Sequence, residues 1–230
     1  MIQVERFQST KALYERAITL IKQVKADGAK TFGLATGGTM EPLYAYLRET
    51  DIDFSDAISF NLDEYVGLSA TNPESYHYYM HEQLFAAKPF AASYLPDGSA
   101  ADATAEAVRY EALLARHPLD FQLLGIGVNG HIGFNEPGTP FDSTTHVVTL
   151  SESTRKANAR YFETIDDVPT EALTMGISSI MRATCILLIA TGESKRAVLN
   201  QVLEGMYTED VPATVLTKHP QVIVLTDLQP

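Results

Sequence analysis

The 230-residue sequence holds a single cysteine, Cys185, inside the apolar run "TCILLIA". One thiol excludes an intrachain disulfide framework, reads as a small core residue and points to a reducing compartment. No apolar stretch approaches the roughly 20 residues needed to cross a bilayer, and "MIQVERFQSTKALYERAITL" at the N-terminus carries charges throughout. Neither a signal peptide nor a membrane anchor is expected, and the expected location is the cytoplasm. Basic residues are scarce too: 17 Lys and Arg stand against 29 Asp and Glu, a formal net charge of -12. A surface of that sign repels nucleic acid, and it opposes any anionic small molecule unless a local pocket reverses the field. Repeats, low-complexity tracts and Gly/Ser linkers are also lacking. One domain over 1–230 is therefore expected, and 45% hydrophobic residues suffice for its core.

What is present is an alternation of polar helical periods with short apolar runs. Helices are predicted over 8–27, 40–50, 73–86, 101–116, 151–162 and 193–204, and strands over 31–36, 57–62, 120–127, 145–150, 184–190 and 221–227. Strands this apolar, separated by helices, imply an α/β fold of the doubly wound kind, a mostly parallel sheet with helices on both faces. Helix 73–86 has Asn72 as its expected N-cap, Pro73 in its first position and Glu74 in its first turn.

Ligands of such sheets bind beyond the carboxyl ends of the strands. Four loops there are rich in chemistry: "TGGT" at 36–39, "DEYVGL" from Asp63, "VNGHIGFNEPG" from Val128, and "TGESK" at 191–195. In the first, Gly37 and Gly38 let the backbone approach an anion, and N–H groups opening the next helix supply donors; a tight strand-to-helix turn is the other reading. "TGESK" repeats that logic and adds Lys195 as a point charge. Asp63 and Glu64 directly follow an apolar strand, where a carboxylate serves either as a general base or as a helix cap. His131 lies between Gly130 and Gly133, which bare its ring, with Asn129 and Glu136 as candidates to hold its tautomer. His77 and His81 share a helix face at zinc-ligand spacing, but "HYYMH" lacks the glutamate of a metalloprotease motif and no further histidine is near, so no metal is expected.

"LATGGTMEPLY", "FNLDEYVGL", "PESYHYYM", "GIGVNGHIGFNEPGT", "RKANARYF" and "TGESKRAV" together resemble the glucosamine-6-phosphate deaminases, in order and across nearly the whole chain. The resemblance implies conversion of D-glucosamine 6-phosphate and water to D-fructose 6-phosphate and ammonia, with no metal or organic cofactor. It implies that Asp63 moves the proton from C2 to C1, that His131 with Glu136 opens the pyranose ring, and that Gly37, Gly38, Thr39, Arg160 and Lys195 bind phosphate. Position 129 departs from the best-known branch, which has aspartate where this sequence has Asn129. An amide orients but cannot neutralise an imidazolium, so ring opening is expected to lean on Glu136.

Rival readings are a 6-phosphogluconolactonase, expected to lack "FNEPG" after the histidine, a plain aldose–ketose isomerase, and a sugar-phosphate sensor of a transcriptional regulator. No helix-turn-helix is visible for the last. The resemblance bears on regulation as well. Allosteric members bind N-acetylglucosamine 6-phosphate between subunits through basic side chains just after the "FNEPG" loop. Here that stretch reads "THVVTL", with His146 and Val148 at the expected cation positions and Thr139 a weak substitute, so a monomer or small homo-oligomer without that activation is expected. Arg155 and Lys156 are the nearby cations that could rebuild such a site.

Overall fold

The computed structural model describes residues 2–230. In chain order the elements are β1 (Ile2–Arg6), α1 (Thr10–Ala26), β2 (Thr31–Leu34), α2 (Glu41–Arg48), β3 (Ile58–Asn61), β4 (Asp63–Tyr65), α3 (Tyr76–Met80), β5 (Ala92–Tyr94), α4 (Ala103–Arg116), β6 (Phe121–Leu124), β7 (His146–Thr149), α5 (Glu152–Asn158), β8 (Glu171–Thr174), α6 (Ile177–Met181), β9 (Cys185–Ala190), α7 (Arg196–Leu203) and β10 (Val222–Thr226). A parallel seven-stranded sheet runs β1-β10-β9-β6-β2-β3-β5, and a second, antiparallel sheet runs β4-β8-β7.

All six residues of β9 are buried. Successive strand residues point to opposite faces, so both faces of the sheet are covered there. The strand order moves one way from β2 to β3 and the other way from β9 to β10. Right-handed crossovers then put α1 and α2 on one face and α4 and α7 on the other. α1 buries Leu13, Tyr14, Ala17, Ile18 and Ile21, a stripe at helical spacing, and starts where the Ser9 hydroxyl accepts from Ala12 N–H. Because β2 and β6 are neighbours whose onward connections diverge, a crevice opens between the loops that follow them.

Several expected elements are shorter or differently placed. Helix 73–86 is two pieces, α3 and a π-helical turn His81–Phe85, and its cap is Ser75, whose hydroxyl accepts from Tyr78 N–H. Asn72 instead forms a local turn, accepting from Glu74 N–H at 2.9 Å. The strand expected at 145–150 exists as β7 but belongs to the antiparallel sheet rather than the main one. Strands β1, β4, β5 and β8 and helix α6 were not expected; each has five residues or fewer, too few to display a period. No helix is long and apolar enough to cross a membrane, among the described residues.

Candidate active site

A cavity of about 770 Å³ occupies the crevice. All four loops reach it: residues 36–39 after β2, Asp63 after β3, residues 125–129 with His131 and Gly133 after β6, and Thr191, Ser194 and Lys195 after β9. The sequence-predicted residues Gly37, Gly38, Thr39, Asp63, Asn129, His131, Arg160 and Lys195 line it, while Glu136 stands behind His131. Helix α5 contributes Ser153, Thr154, Ala157 and Asn158 to the lining.

The loop after β2 is fixed from behind by tyrosines that sequence reasoning did not single out. Tyr44 donates to the Ala35 carbonyl at 2.5 Å, Tyr79 to the Gly37 carbonyl at 3.2 Å and Tyr14 to the Thr39 carbonyl at 2.8 Å. These bonds fix the peptide units of the loop; the Gly37 carbonyl also accepts from Met40 N–H at 2.8 Å, and the Gly38 backbone meets the Tyr161 hydroxyl. Gly38 faces Arg160: a methyl group there would lie 2.7 Å from Arg160 Nη2 and 3.2 Å from the Tyr161 hydroxyl. Arg160 sits in a 3-10 turn, Ala159–Tyr161, that prolongs α5, and its Nη2 donates to the Tyr161 hydroxyl at 2.7 Å.

Lys195 comes from the 3-10 turn Glu193–Lys195, and its ammonium has no hydrogen-bond or ion-pair partner among the described residues. Burial and then the neighbouring Arg160 charge push its pKa down. Two cations lining one cavity, near enough for the charge of one to act on the other, suit an anion within a chain of net charge -12. In the loop carrying Lys195, Gly192 N–H is committed to Asp227 at 2.9 Å, while Thr191 and Ser194 reach the cavity.

Adjacent in β4, Asp63 and Glu64 are thrown to opposite sides of the strand and meet opposite fates. Glu64 is wholly buried and accepts from Tyr65, Tyr76 and His77 N–H, each at 2.9 Å, so it anchors the first turn of α3. His77 Nδ1 completes its shell at 2.9 Å. No cluster of candidate metal ligands occurs among the described residues. Asp63, 6% exposed, receives no hydrogen bond among the described residues and opens into the cavity. Burial, and then the Glu64 charge, push its pKa up to about 8. Glu64 thus takes the structural reading, while Asp63 is left facing the cavity.

His131 packs flat on a glycine other than those that flank it. A methyl group at Gly127 would fall 2.3 Å from its Cε1, so residue 127 must lack a side chain for the ring to lie there. The loop is tied to β8 by Phe134 N–H donating to Thr174 Oγ1 at 3.0 Å, and by Asn135 Nδ2 donating to the Ile132 and Met175 carbonyls, both at 2.8 Å. Thr174 also pairs with Asp63 across the small sheet, which brings the histidine loop and the carboxylate together. His131 Nδ1 is buried without a hydrogen bond, 3.9 Å from Glu136 Oε2, leaving Nε2 the nitrogen open to the cavity. Burial lowers the imidazole pKa; the Glu136 charge opposes this and Lys195 adds to it. Asn129 does not hold the ring as expected. Its Nδ2 donates to Glu136 Oε2 at 2.8 Å and its Oδ1 accepts from the His131 backbone N–H at 3.3 Å, so it orients the carboxylate instead.

Residues 5–224 match the family described as glucosamine-6-phosphate isomerases/6-phosphogluconolactonase. A Lysinibacillus sphaericus glucosamine-6-phosphate deaminase is 70% identical over 203 residues, covering 88% of this chain and 92% of that protein. A Lactobacillus delbrueckii subsp. bulgaricus glucosamine-6-phosphate deaminase is 55% identical, covering 94% and 92%. Among solved structures, a monomeric glucosamine-6-phosphate deaminase superposes with TM-score 0.94 at 45% identity, covering 97% of this chain and 96% of that one. A Shewanella baltica 6-phosphogluconolactonase shares the fold, with TM-score 0.77 at 20% identity over 98% and 97%.

The Asp63 carboxyl binds its proton more tightly in the folded than in the unfolded chain, so its contribution to stability is fully present below about pH 4 and is lost as pH rises through about 8. Replacing Asp63 by Asn removes that loss. The variant is expected to melt higher than the parent by about 3 °C or more at pH 9, with the difference vanishing near pH 4. Thermal unfolding of both proteins across that range checks it; equal melting at pH 9 contradicts the burial cost assigned to Asp63.

Proposed function

This chain belongs to the glucosamine-6-phosphate isomerase/6-phosphogluconolactonase family, and we propose that its cavity carries out the deaminase reaction. It converts D-glucosamine 6-phosphate and water to D-fructose 6-phosphate and ammonia by ring opening, aldose–ketose isomerisation and deamination. The observation that carries this reading is a buried carboxylate free of donors, Asp63, in one cavity with the two cations and a histidine whose Nε2 faces the space between them. A cytoplasmic location fits a phosphorylated substrate and an unpaired Cys185.

The phosphate sits against Gly37, Gly38, Thr39, Arg160 and Lys195, which fixes the far end of the sugar. His131 passes a proton from the anomeric hydroxyl to the ring oxygen, and Glu136, oriented by Asn129, supports the transient imidazolium. The open chain exposes the C1 aldehyde. Asp63 then removes the C2 proton, giving an enolamine, and returns it to C1, leaving an iminium at C2. Water adds to C2 and ammonia departs, which completes the ketose. Asp63 must be ionised to act, and the substrate's ammonium on C2 favours that ionised form once bound.

A monomer or small homo-oligomer lacking activation by N-acetylglucosamine 6-phosphate fits the surface after the histidine loop. Val148 packs on the small core of Tyr65, Phe134, Leu150 and Ala172, and His146 Nδ1 lies 2.8 Å from the Thr144 carbonyl. Thr139 donates to the Glu136 carbonyl at 2.6 Å. The neighbouring cations are also engaged, Arg155 on the Val168 and Ile165 carbonyls and Lys156 on Glu152 at 2.5 Å. Saturation by glucosamine 6-phosphate is therefore expected to be hyperbolic, with and without the N-acetylated sugar. A sigmoidal curve that this sugar straightens would contradict it.

An ammonia-release assay with glucosamine 6-phosphate tests the activity itself. Turnover is expected in the parent and none above background in Asp63→Asn, which keeps the shape but cannot accept a proton. In the parent, kcat/KM is expected to fall about tenfold per pH unit below about 8, with the matching limb of kcat displaced to lower pH by the bound ammonium. Hydrolysis of 6-phosphogluconolactone to 6-phosphogluconate, with no ammonia released from glucosamine 6-phosphate, would overturn the assignment.

Lys195→Ala and Arg160→Ala are each expected to raise KM about ten- to a hundredfold, since both cations would meet the phosphate dianion directly. Glucosamine without the phosphate should be turned over equally by the parent and both variants. Unchanged KM in both variants would remove these residues from phosphate binding.

A further inference from the structure

Glu136 is held from two directions. Its Oε2 accepts from Asn129 in its own loop, while its Oε1 accepts from Thr154 at 2.5 Å, with the Ser151 hydroxyl at 3.1 Å. Ser151 caps α5, and its hydroxyl also accepts from Thr154 N–H at 3.2 Å. The first turn of α5 is therefore bonded directly to the carboxylate that serves His131. Thr154 is 3% exposed, so this bond is shielded from competing water.

Six residues further on, the same segment ends in the 3-10 turn that presents Arg160 opposite Gly38. About 9 Å of helix thus connects the phosphate end of the cavity to the ring-opening end. Between these ends Asn158 Nδ2 donates to Tyr65 Oη at 2.9 Å and Arg155 to the Val168 carbonyl. At the far end there is an unmade contact. His131 Nδ1 is buried and unpartnered, 3.9 Å from Glu136 Oε2. A displacement of about 1 Å closes that gap to an ordinary hydrogen bond and relieves the cost of the orphaned nitrogen.

We propose that Thr154 is a positioning residue linking the two ends: phosphate seated on Arg160 draws the segment toward Gly38, and Thr154 carries Glu136 with it onto His131. The phosphate then does more than hold the substrate, because its binding also sets the acid–base pair for ring opening. This inference rests on the deaminase reading above.

The experiment separates the phosphate from the sugar. Ammonia release from glucosamine is measured with and without phosphite dianion, in the parent protein, Thr154→Val and Thr154→Ser. Phosphite is expected to accelerate the parent at least about tenfold, the serine variant comparably, and the valine variant less than about twofold. With glucosamine 6-phosphate, Thr154→Val is expected to lose about tenfold in kcat while KM stays within about twofold, and Thr154→Ser to recover most of the loss. A thermal melt establishes that the valine variant is folded; should it not be, Thr154→Ala is judged by the same criteria. The inference is overturned if phosphite activates the valine or alanine variant as it does the parent, if serine fails to rescue, or if phosphite leaves the parent unaffected while glucosamine 6-phosphate is still deaminated. A parent that releases no ammonia from glucosamine 6-phosphate refutes the functional reading instead.

Discussion

A carboxylate buried without donors is expensive, and the rest of the site is arranged around keeping one. Asp63 and Glu64 are consecutive, share β4 and are both buried, yet one has a full shell of N–H donors and the other has none among the described residues. The satisfied member fastens α3 to the sheet. The unsatisfied member keeps a raised affinity for protons, which suits a group that takes a hydrogen from carbon and gives it back. The alternation of a β-strand decides which is which, and the small antiparallel sheet supplies that strand.

The second constraint is electrostatic. With a net charge of -12, the chain binds an anion only where its geometry overrides its composition. Three tyrosine hydroxyls hold the carbonyls of residues 35, 37 and 39, and Lys195 and Arg160 line the cavity together, the charge of Arg160 acting on Lys195. Mutual repulsion of the two cations is the counterpart of Asp63's missing donors. One end of the cavity holds the Lys195 ammonium without an ion-pair partner among the described residues and the other a carboxyl without donors, and a phosphorylated amino sugar suits both, with a dianion at one end and an ammonium at the other.

Much of this was legible in the sequence, for identifiable reasons. The central strands are continuous apolar runs, and their carboxyl ends are marked by glycine and by charged residues, so the four loops and every candidate residue lining the cavity could be read from sequence. The short strands at 2–6, 63–65, 92–94 and 171–174 could not, because so few residues show no alternation and their burial depends on neighbours distant in sequence. The same holds for contacts that cross elements. Asn129 lies two residues from His131, which suggested a bond between side chains, whereas the fold points its amide at Glu136. Tyr14, Tyr44, Tyr79 and Thr154 lie in helices whose periodicity marks them only as core or surface; their hydroxyls acquire meaning once the loops they meet are in place. Gly127 carried a signal, as one of many glycines in a short loop, but not the identity of the ring that needs the space.

The central claim is that one side chain, Asp63, carries a single proton from C2 to C1. Glucosamine 6-phosphate deuterated at C2 addresses it directly. A primary isotope effect on turnover, together with deuterium recovered on C1 of the fructose 6-phosphate, is the result the account predicts. Turnover indifferent to the label, with C1 filled wholly from solvent, would contradict it.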